Sequence, residues 1–323
     1  MECISVIVCC YNAEETISDT LSSLRLQTWT DLEVLVIDDG SEDNSAQIVR
    51  DIATQDSRIR ILQNERNCGT AFTRQRGLNE ARSNLIIYFD SDDIARPEML
   101  SSLYELLKSD ELIMGVSCYA EYFDGHDVFG IQRVGSLDKS SFMESWKKNK
   151  LFFQSMVTLT YCDLVKRVGG FRLGIFPNIE SIRYEDFCED LDLWCRMSDL
   201  AGEGRYFLTI PQPLFHYRKP INSLSTRNLR LMQLKMRWIK DCLLRRRSGR
   251  PERSIEEFIH SRSLLDRIHD WRSDRAAECY KKAGFCYSRR NWLRLALYLG
   301  MTGFFSPKLV RQKLRTQMVK LRL

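Results

Sequence analysis

The chain has 323 residues, is 44% hydrophobic and carries a net charge of +5, enough for one good-sized core or a core with an appendage. Its eleven cysteines form no CxxC pair, and Cys3, Cys9, Cys10, Cys188 and Cys195 sit in or beside predicted strands and helices. That fits reduced, buried thiols of a cytoplasmic protein better than a secreted disulfide framework or a zinc site. With no basic-then-apolar start and no run near about 18 apolar residues, neither a signal peptide nor a spanning helix is expected.

In chain order, Ile4 to Cys10 predicts a buried strand that ends at Tyr11-Asn12, and Ile17, Leu21 and Leu24 predict a helix to Arg25. Leu32 to Ile37 is a second strand, stopped by Asp38-Asp39-Gly40-Ser41; Asp43-Asn44-Ser45 caps a helix through Ile52, and Ile59 to Leu62 is a third strand. After Gly69 and a helix over 70–81, Leu85-Ile86-Ile87-Tyr88-Phe89 runs into Asp90-Ser91-Asp92-Asp93. Alternating strands and helices argue for a parallel sheet, and three successive strands then end in polar or acidic residues at one edge, where open α/β sheets bind ligands. Side chains two apart on an extended segment share a side, so Asp90 and Asp92 can reach one hard cation such as Mg²⁺ or Mn²⁺; an acidic turn without ligand is the bland alternative.

Further on, Pro97 opens a helix, and 115–129 predicts a hairpin turning at Asp124-Gly125. Helices at 140–148 and 163–168 flank a strand near 155–160, Phe171 to Arg183 is expected as loop, and a helix follows Glu189-Asp190. A strand over 205–210 and the segment Pro213 to Arg218 close the body. From Arg227 onward there are 25 Lys and Arg against 8 acids, a balance of +17, whereas the first 226 residues balance at −12. The expected organisation is an acidic body over 1–226 and a basic helical extension over 227–323, with helices at 229–244, 254–268, 272–285 and 291–299 and a last basic one after Ser306-Pro307. Over 272–299 the pattern resembles one tetratricopeptide-like pair, Ala276, Tyr280 and Ala283 facing Leu293, Ala296 and Leu297, or simply bundled helices. Such a tail suits anionic lipid, an acidic partner or the acidic body.

The order and spacing of Ser5-Val6-Ile7-Val8, Tyr11-Asn12, Gln27-Thr28, Asp38-Asp39-Gly40-Ser41, Asn67 with Gly69, Arg74, Asp90-Ser91-Asp92-Asp93, Glu189-Asp190-Leu191-Asp192-Leu193-Trp194 and Tyr217-Arg218 resemble family 2 glycosyltransferases. The resemblance covers about the first 226 residues and implies an α/β fold: a mixed, mostly parallel central sheet flanked by helices, the glycosyltransferase A-type, Rossmann-like arrangement, here with an α-helical C-terminal extension. It implies an inverting hexosyl- or N-acetylhexosaminyltransferase of polysaccharide or glycolipid synthesis. The donor would be a nucleotide-diphospho-sugar, UDP being the expected nucleotide, and the acceptor a hydroxyl of a glycan or lipid-linked molecule.

By that resemblance, Asp92 holds Mn²⁺ or Mg²⁺ with Asp90 near ribose or metal, and His216 is a candidate third metal ligand or a packed histidine. Tyr11 stacks on the base, Asp39 accepts from the uracil ring, Arg74 lines the nucleotide site and Arg218, with Lys219, neutralises phosphate. Glu189-Asp190 is the acidic pair, with Asp190 the general base. Glu185-Asp186 is a weaker match for that pair, and Ser223 and Ser225 match the family's trailing serines. The rivals fare worse. No glycine-rich dinucleotide fingerprint follows the first strand, and the acidic body would repel a nucleic acid backbone, so no nucleic acid partner is expected. An inactive sugar-nucleotide-binding or scaffold protein of the same fold is the non-enzymatic alternative. For the tail, peripheral contact with an anionic membrane through amphipathic helices such as Leu229 to Leu244 is the expectation, with dimerisation or packing on the body as the other role.

Overall fold

The computed structural model describes residues 2–174, 187–218, 229–288 and 290–311. Glu185, Asp186, Lys219, Ser223, Ser225 and the chain after residue 311, on which some expectations fall, lie outside those residues. Two compact units are present: Met1–Ser223 with Lys235–Glu252, and Leu224–Leu234 with Arg253–Leu323.

The first unit is built on strands whose residues are apolar on both faces. β1 (Ile4–Cys10), β2 (Leu32–Asp38) and β4 (Leu85–Asp90) are buried along almost their whole length, as strands covered by helices on both sides must be. β1 pairs in parallel with β2 and β4, and β2 in parallel with β3 (Ile59–Gln63). The linking helices are α1 (Ile17–Arg25), α2 (Ser45–Ala53) and α3 (Thr70–Glu80). α3 lies so close to β1 that a Cβ at Gly77 would stand 2.3 Å from Ile7 Cγ2, which is why glycine is needed inside this helix.

The second half of the sheet is mixed. After β5 (Ile94–Ala95) and α4 (Met99–Leu107) come β6 (Ile113–Phe123) and β7 (Val128–Gln132), the expected hairpin, with Asp124 Oδ1 accepting from the amides of His126 and Asp127 at the turn. α5 (Lys139–Lys147), β8 (Thr158–Tyr161), α6 (Cys162–Arg167), α7 (Glu189–Met197) and a 3₁₀ turn at Ser198–Glu203 lead into β9 (Tyr206–Arg218). The strand order is β3-β2-β1-β4-β8-β6-β9-β5 with β7 on β6; β8 runs antiparallel to β4 and β6, while β9 runs parallel to β6. β9 is one strand of 13 residues where the sequence suggested two pieces. Pro211 and Pro213 lack amide hydrogens, and the ladder to β6 absorbs them through register shifts at Cys118–Ala120.

α8 (Leu229–Arg247) takes the other role expected of the tail, packing on the body, from Lys235 onward. Trp238, Ile239, Cys242 and Leu243 are buried, and the segment from Lys235 belongs to the first unit, so this apolar stripe is core rather than a lipid-facing surface, and the division expected at 226/227 does not coincide with the compact units. In the second unit, the single helix expected over 254–268 is two. α9 (Ile255–His260) opens with a Ser254–Glu257 capping box, and α10 (Leu264–Ser288) opens where Ser263 and Asp266 hydrogen-bond reciprocally. α11 (Trp292–Phe305) packs antiparallel on α10, the Trp271 and Phe305 rings 5.6 Å apart edge to face. Ala276 and Ala283 are buried as expected, but Leu293 and Leu297, which were expected to meet them, are 85% and 60% exposed, on the side of α11 away from α10.

Candidate active site

Parallel pairing aligns Cys10 with Asp38 and Cys9 with Asp90, so the acidic ends of β2 and β4 and the Tyr11-Asn12 end of β1 emerge at one sheet edge. Tyr11 is 43% exposed there, beside a tight turn in which Asn12 (φ 48°) donates its amide to Ser41 Oγ and accepts from the Glu42 amide. Gly40 has φ 71°, and a Cβ there would come within 2.6 Å of the Arg66 carbonyl carbon, so both the backbone conformation and the space call for glycine. Asp39 is buried, accepting from Asn64 Nδ2 (2.6 Å) and the amides of Cys68 (2.9 Å) and Gly69 (2.8 Å). These bonds fix the loop that leads into α3 and thereby the place of Arg74.

Arg74 is 5% exposed and bridges two carboxylates that are far apart in the sequence. Its Nη2 donates to Asp90 Oδ1 at 3.0 Å and its Nη1 to Glu189 Oε1, while its Nε is buried without a hydrogen-bond partner. Burial disfavours the charged guanidinium, but the facing Glu189 and Asp90 outweigh it and raise its pKa. Glu189 is itself pushed up by burial, Arg74 and Lys235 pulling it down and Asp190 pushing it further up. Glu189 and Asp190 form the first turn of α7, launched by Cys188 at φ 54°, and Asp190 Oδ1 accepts from the Leu191 amide at 2.7 Å. An acidic first turn complements the helix dipole and leaves Asp190 further acceptor capacity.

The acidic turn after β4 is clasped to the end of β9. β5 pairs antiparallel with β9, Ile94 opposite His216, and the Arg218 amide donates to Asp93 Oδ1 at 2.9 Å while its Nε donates to the Asp92 carbonyl at 3.0 Å. The Arg218 guanidinium lies 4.5 Å from the Phe123 ring centre. Asp93 is 1% exposed and its carboxyl is held well above the ordinary range by burial and by Asp90 and Asp92, which makes it the buried half of this clasp. Asp92 is pushed up to about 6, by burial first and then by Asp90, with Arg218 opposing. His216 is turned to Glu121, Nδ1 to Oε2 at 3.3 Å, and its ring meets Phe123 edge-on at 5.6 Å.

The structure thus joins Asp90, Arg74 and Glu189 directly and ties Asp92 and Asp93 to Arg218, while His216 stands beside Glu121 and Phe123 on the β9 side of the clasp. Among the described residues no group of three His, Cys, Asp or Glu gathers as a closed metal site. Asp90 and Asp92 nevertheless fit a hard divalent ion: both are oxygen donors, and Asp92 has its negative charge disfavoured by burial and by a like neighbour. Two carboxylates suit an ion that takes its other ligands from diphosphate and water.

One residue escaped the sequence reading. Lys235 on α8 is 2% exposed; burial lowers its pKa, and Glu189, Asp192, Cys188 and Asp190 act to restore it, so a cation from α8 stands in the field of the acidic pair. The signal was its spacing, since Lys235, Trp238, Ile239 and Cys242 occupy one stripe and the lysine takes an apolar position in it. Behind Glu189-Asp190, Asp192 is buried, accepts from Arg196 Nε at 3.0 Å and forms ion pairs with Arg196 Nη2 (2.8 Å) and Arg172 (3.2 Å), which fixes α7.

A family model described as glycosyl transferase family 2 matches residues 5–179. The chain is 37% identical over 241 residues to a cholesterol galactosyltransferase of Borreliella burgdorferi, covering 71% of this chain and 65% of that protein. It is 32% identical over 256 residues to glycosyltransferase GlyG of Streptococcus pneumoniae, covering 75% and 81%. Among solved structures, residues 1–349 of S. aureus TarS in complex with UDP-GlcNAc superpose with a TM-score of 0.56 at 18% identity, over 86% of this chain and 81% of that one. The mannosyltransferase PcManGT of Pyrobaculum calidifontis, in complex with GDP-Man and Mn²⁺, gives 0.52 at 16% identity over 93% and 86%. At these identities the two structures speak to the fold, which is the A-type glycosyltransferase arrangement. Together with the acid-lined sheet edge and the family match over more than half its length, they identify this chain as a member of glycosyl transferase family 2, a glycosyltransferase that draws on a nucleotide-sugar donor.

Proposed function

We propose that this enzyme transfers a hexosyl or N-acetylhexosaminyl group from a UDP-sugar to a hydroxyl of a glycan or lipid-linked acceptor, with inversion. The observation that carries the reading is the Arg74 bridge, which sets the acids ending β4 opposite the acid pair opening α7. On the donor side, Tyr11, Asp39 and Arg74 line the nucleotide, and Asp90 and Asp92 would hold Mn²⁺ or Mg²⁺ with His216 as a further candidate ligand. The ion, when bound, offsets charge that develops on the departing diphosphate. Arg218, anchored through Asp92 and Asp93, adds positive charge for the same oxygens.

On the acceptor side Asp190 takes the proton of the attacking hydroxyl, which must approach to about 2.6–3.2 Å. The new bond forms between that oxygen and the anomeric carbon as the carbon–phosphate oxygen bond breaks, and the diphosphate leaves with its electron pair. Glu189, held by Arg74, positions its neighbour and tunes the local charge. The names of two relatives support the acceptor and donor classes, one a cholesterol galactosyltransferase and one a protein solved with UDP-GlcNAc. A lipid-linked acceptor and the basic tail together support work at an anionic membrane surface on the cytoplasmic side.

The test is a screen of nucleotide sugars for Mn²⁺-dependent donor consumption, followed by variants. Asp190→Asn is expected to bind the best donor as the wild type does and to lose transfer by about 10²–10⁴-fold. Asp92→Ala is expected to abolish the metal-dependent part of turnover. Transfer at full rate by Asp190→Asn removes Asp190 from its role.

A further inference from the structure

α11 inverts the usual logic of a surface helix. Its 14 residues contain one charged side chain, Arg294, and of them only Thr302 is buried. Leu293, Leu297 and Phe304 recur at helical spacing on one face and are 85%, 60% and 75% exposed, while Tyr298 and Phe305 meet Lys282 and Trp271 of α10 on the other side. A helix packed on one neighbour should present polar residues outward. Here the outward face is apolar, and Leu264, Leu265 and Ile268, in the two turns of α10 before Trp271, are exposed as well. Exposed apolar surface of this kind marks an interaction site.

Length and charge choose the occupant. At about 1.5 Å per residue the helix measures roughly 21 Å, less than the roughly 30 Å of a bilayer's hydrocarbon core, and among the described residues no helix is long and apolar enough to cross a membrane. The sequence places Arg289 and Arg290 just before the helix, and residues 306–323 hold six Lys and Arg and no acid. A second copy of the same surface would bring these like charges together, whereas anionic lipid headgroups complement them.

We propose that α11 lies in the plane of an anionic bilayer surface, with Leu293, Leu297 and Phe304 inserted at the acyl boundary and the flanking Arg290, Lys308 and Arg311 on the headgroups. The inference rests on the reading that the enzyme works at a membrane, and it replaces α8 with α11 as the element that touches lipid.

The test uses the full chain, sedimented with phosphatidylcholine vesicles and with vesicles containing about a third phosphatidylglycerol. Wild type is expected to partition at least about tenfold better onto the anionic vesicles, and Leu297→Glu/Phe304→Glu to lose about tenfold or more of that binding while keeping its helical circular dichroism and its donor consumption. Leu293→Ser/Leu297→Ser, which adds no negative charge, separates loss of insertion from electrostatic repulsion and is expected to lose binding as well. If both variants partition like wild type, insertion by α11 is overturned and the membrane reading stands. If wild type partitions onto neither vesicle, both fall. If wild type is a dimer by light scattering and the variants are monomers without any vesicle binding by wild type, the face is a seam between copies and the proposal is overturned.

Discussion

Arg74 concentrates the electrostatics of the site in one side chain. A buried guanidinium between two carboxylates is costly to remove, because its loss leaves Glu189 buried with only the field of Lys235 to offset its charge, and leaves the more exposed Asp90 without its partner. Arg74→Met is therefore expected to cost about 3–5 kcal/mol in urea unfolding and to abolish transfer. Arg74→Lys restores the charge without the planar fork, so it should recover much of the stability and little of the activity. Equal recovery of both would assign Arg74 a purely structural part. Little of this was visible beforehand. The motif spacing pointed to Arg74 as a nucleotide residue, but its partners stand 16 and 115 positions away, and which acids claim a fork is decided by tertiary placement. For the same reason His216, next to Tyr217-Arg218 in sequence, finds Glu121 across the β6–β9 ladder.

At the scale of elements, β1, β2 and β4 were legible because a strand buried on both faces leaves an unbroken apolar run. β9 was not, because its two prolines imitate a boundary that the β6 ladder bridges. The split between α9 and α10 was written in Ser263-Leu264-Leu265-Asp266, a second capping motif inside an apparently continuous helical pattern. The entry to β3 offers a test of how such local devices contribute. Asp56 grips Arg58 with both oxygens, Nε at 3.0 Å and Nη2 at 2.7 Å, and this pairing lowers its pKa to about 2 against an opposing effect of burial. A depressed carboxylate stabilises the fold at pH values above its ordinary 3.8, and that contribution is lost as pH falls from there through about 2. Linkage sets a ceiling of about 2 kcal/mol, and because Arg58 is 29% exposed the screened value should be nearer 1 kcal/mol. Asp56→Asn is thus expected to lower stability by about 1 kcal/mol at pH 7 and to flatten its decline between pH 4 and 2, measured by urea unfolding across that range. An unchanged acid limb would show the pair to be inert.

At the scale of the molecule, the charge boundary near residue 227 and the packing boundary are different things. Composition marks where Lys and Arg begin to outnumber acids, but Lys235–Glu252 belongs to the first unit. Trp238, Ile239, Cys242 and Leu243 are buried, Arg172 pairs with Glu252 at 2.6 Å, and Arg246 and Arg247 both grip Asp199 at 2.6 and 2.7 Å. Four buried side chains at about 1.5–3 kcal/mol each amount to roughly 6–12 kcal/mol, comparable with the about 5–15 kcal/mol that holds a typical domain folded. A chain ended at Thr226 is therefore expected to aggregate or melt without a cooperative transition, and to lose the field of Lys235 at Glu189. A chain ended at Glu252 keeps those residues and is expected to melt cooperatively and to consume donor at near the full-length rate, while no longer sedimenting with anionic vesicles because α11 is gone. Differential scanning calorimetry of the two truncations beside the full chain separates the cases. If the shorter chain melts as cooperatively and as high as the longer one, α8 is an appendage and the catalytic unit is complete without it.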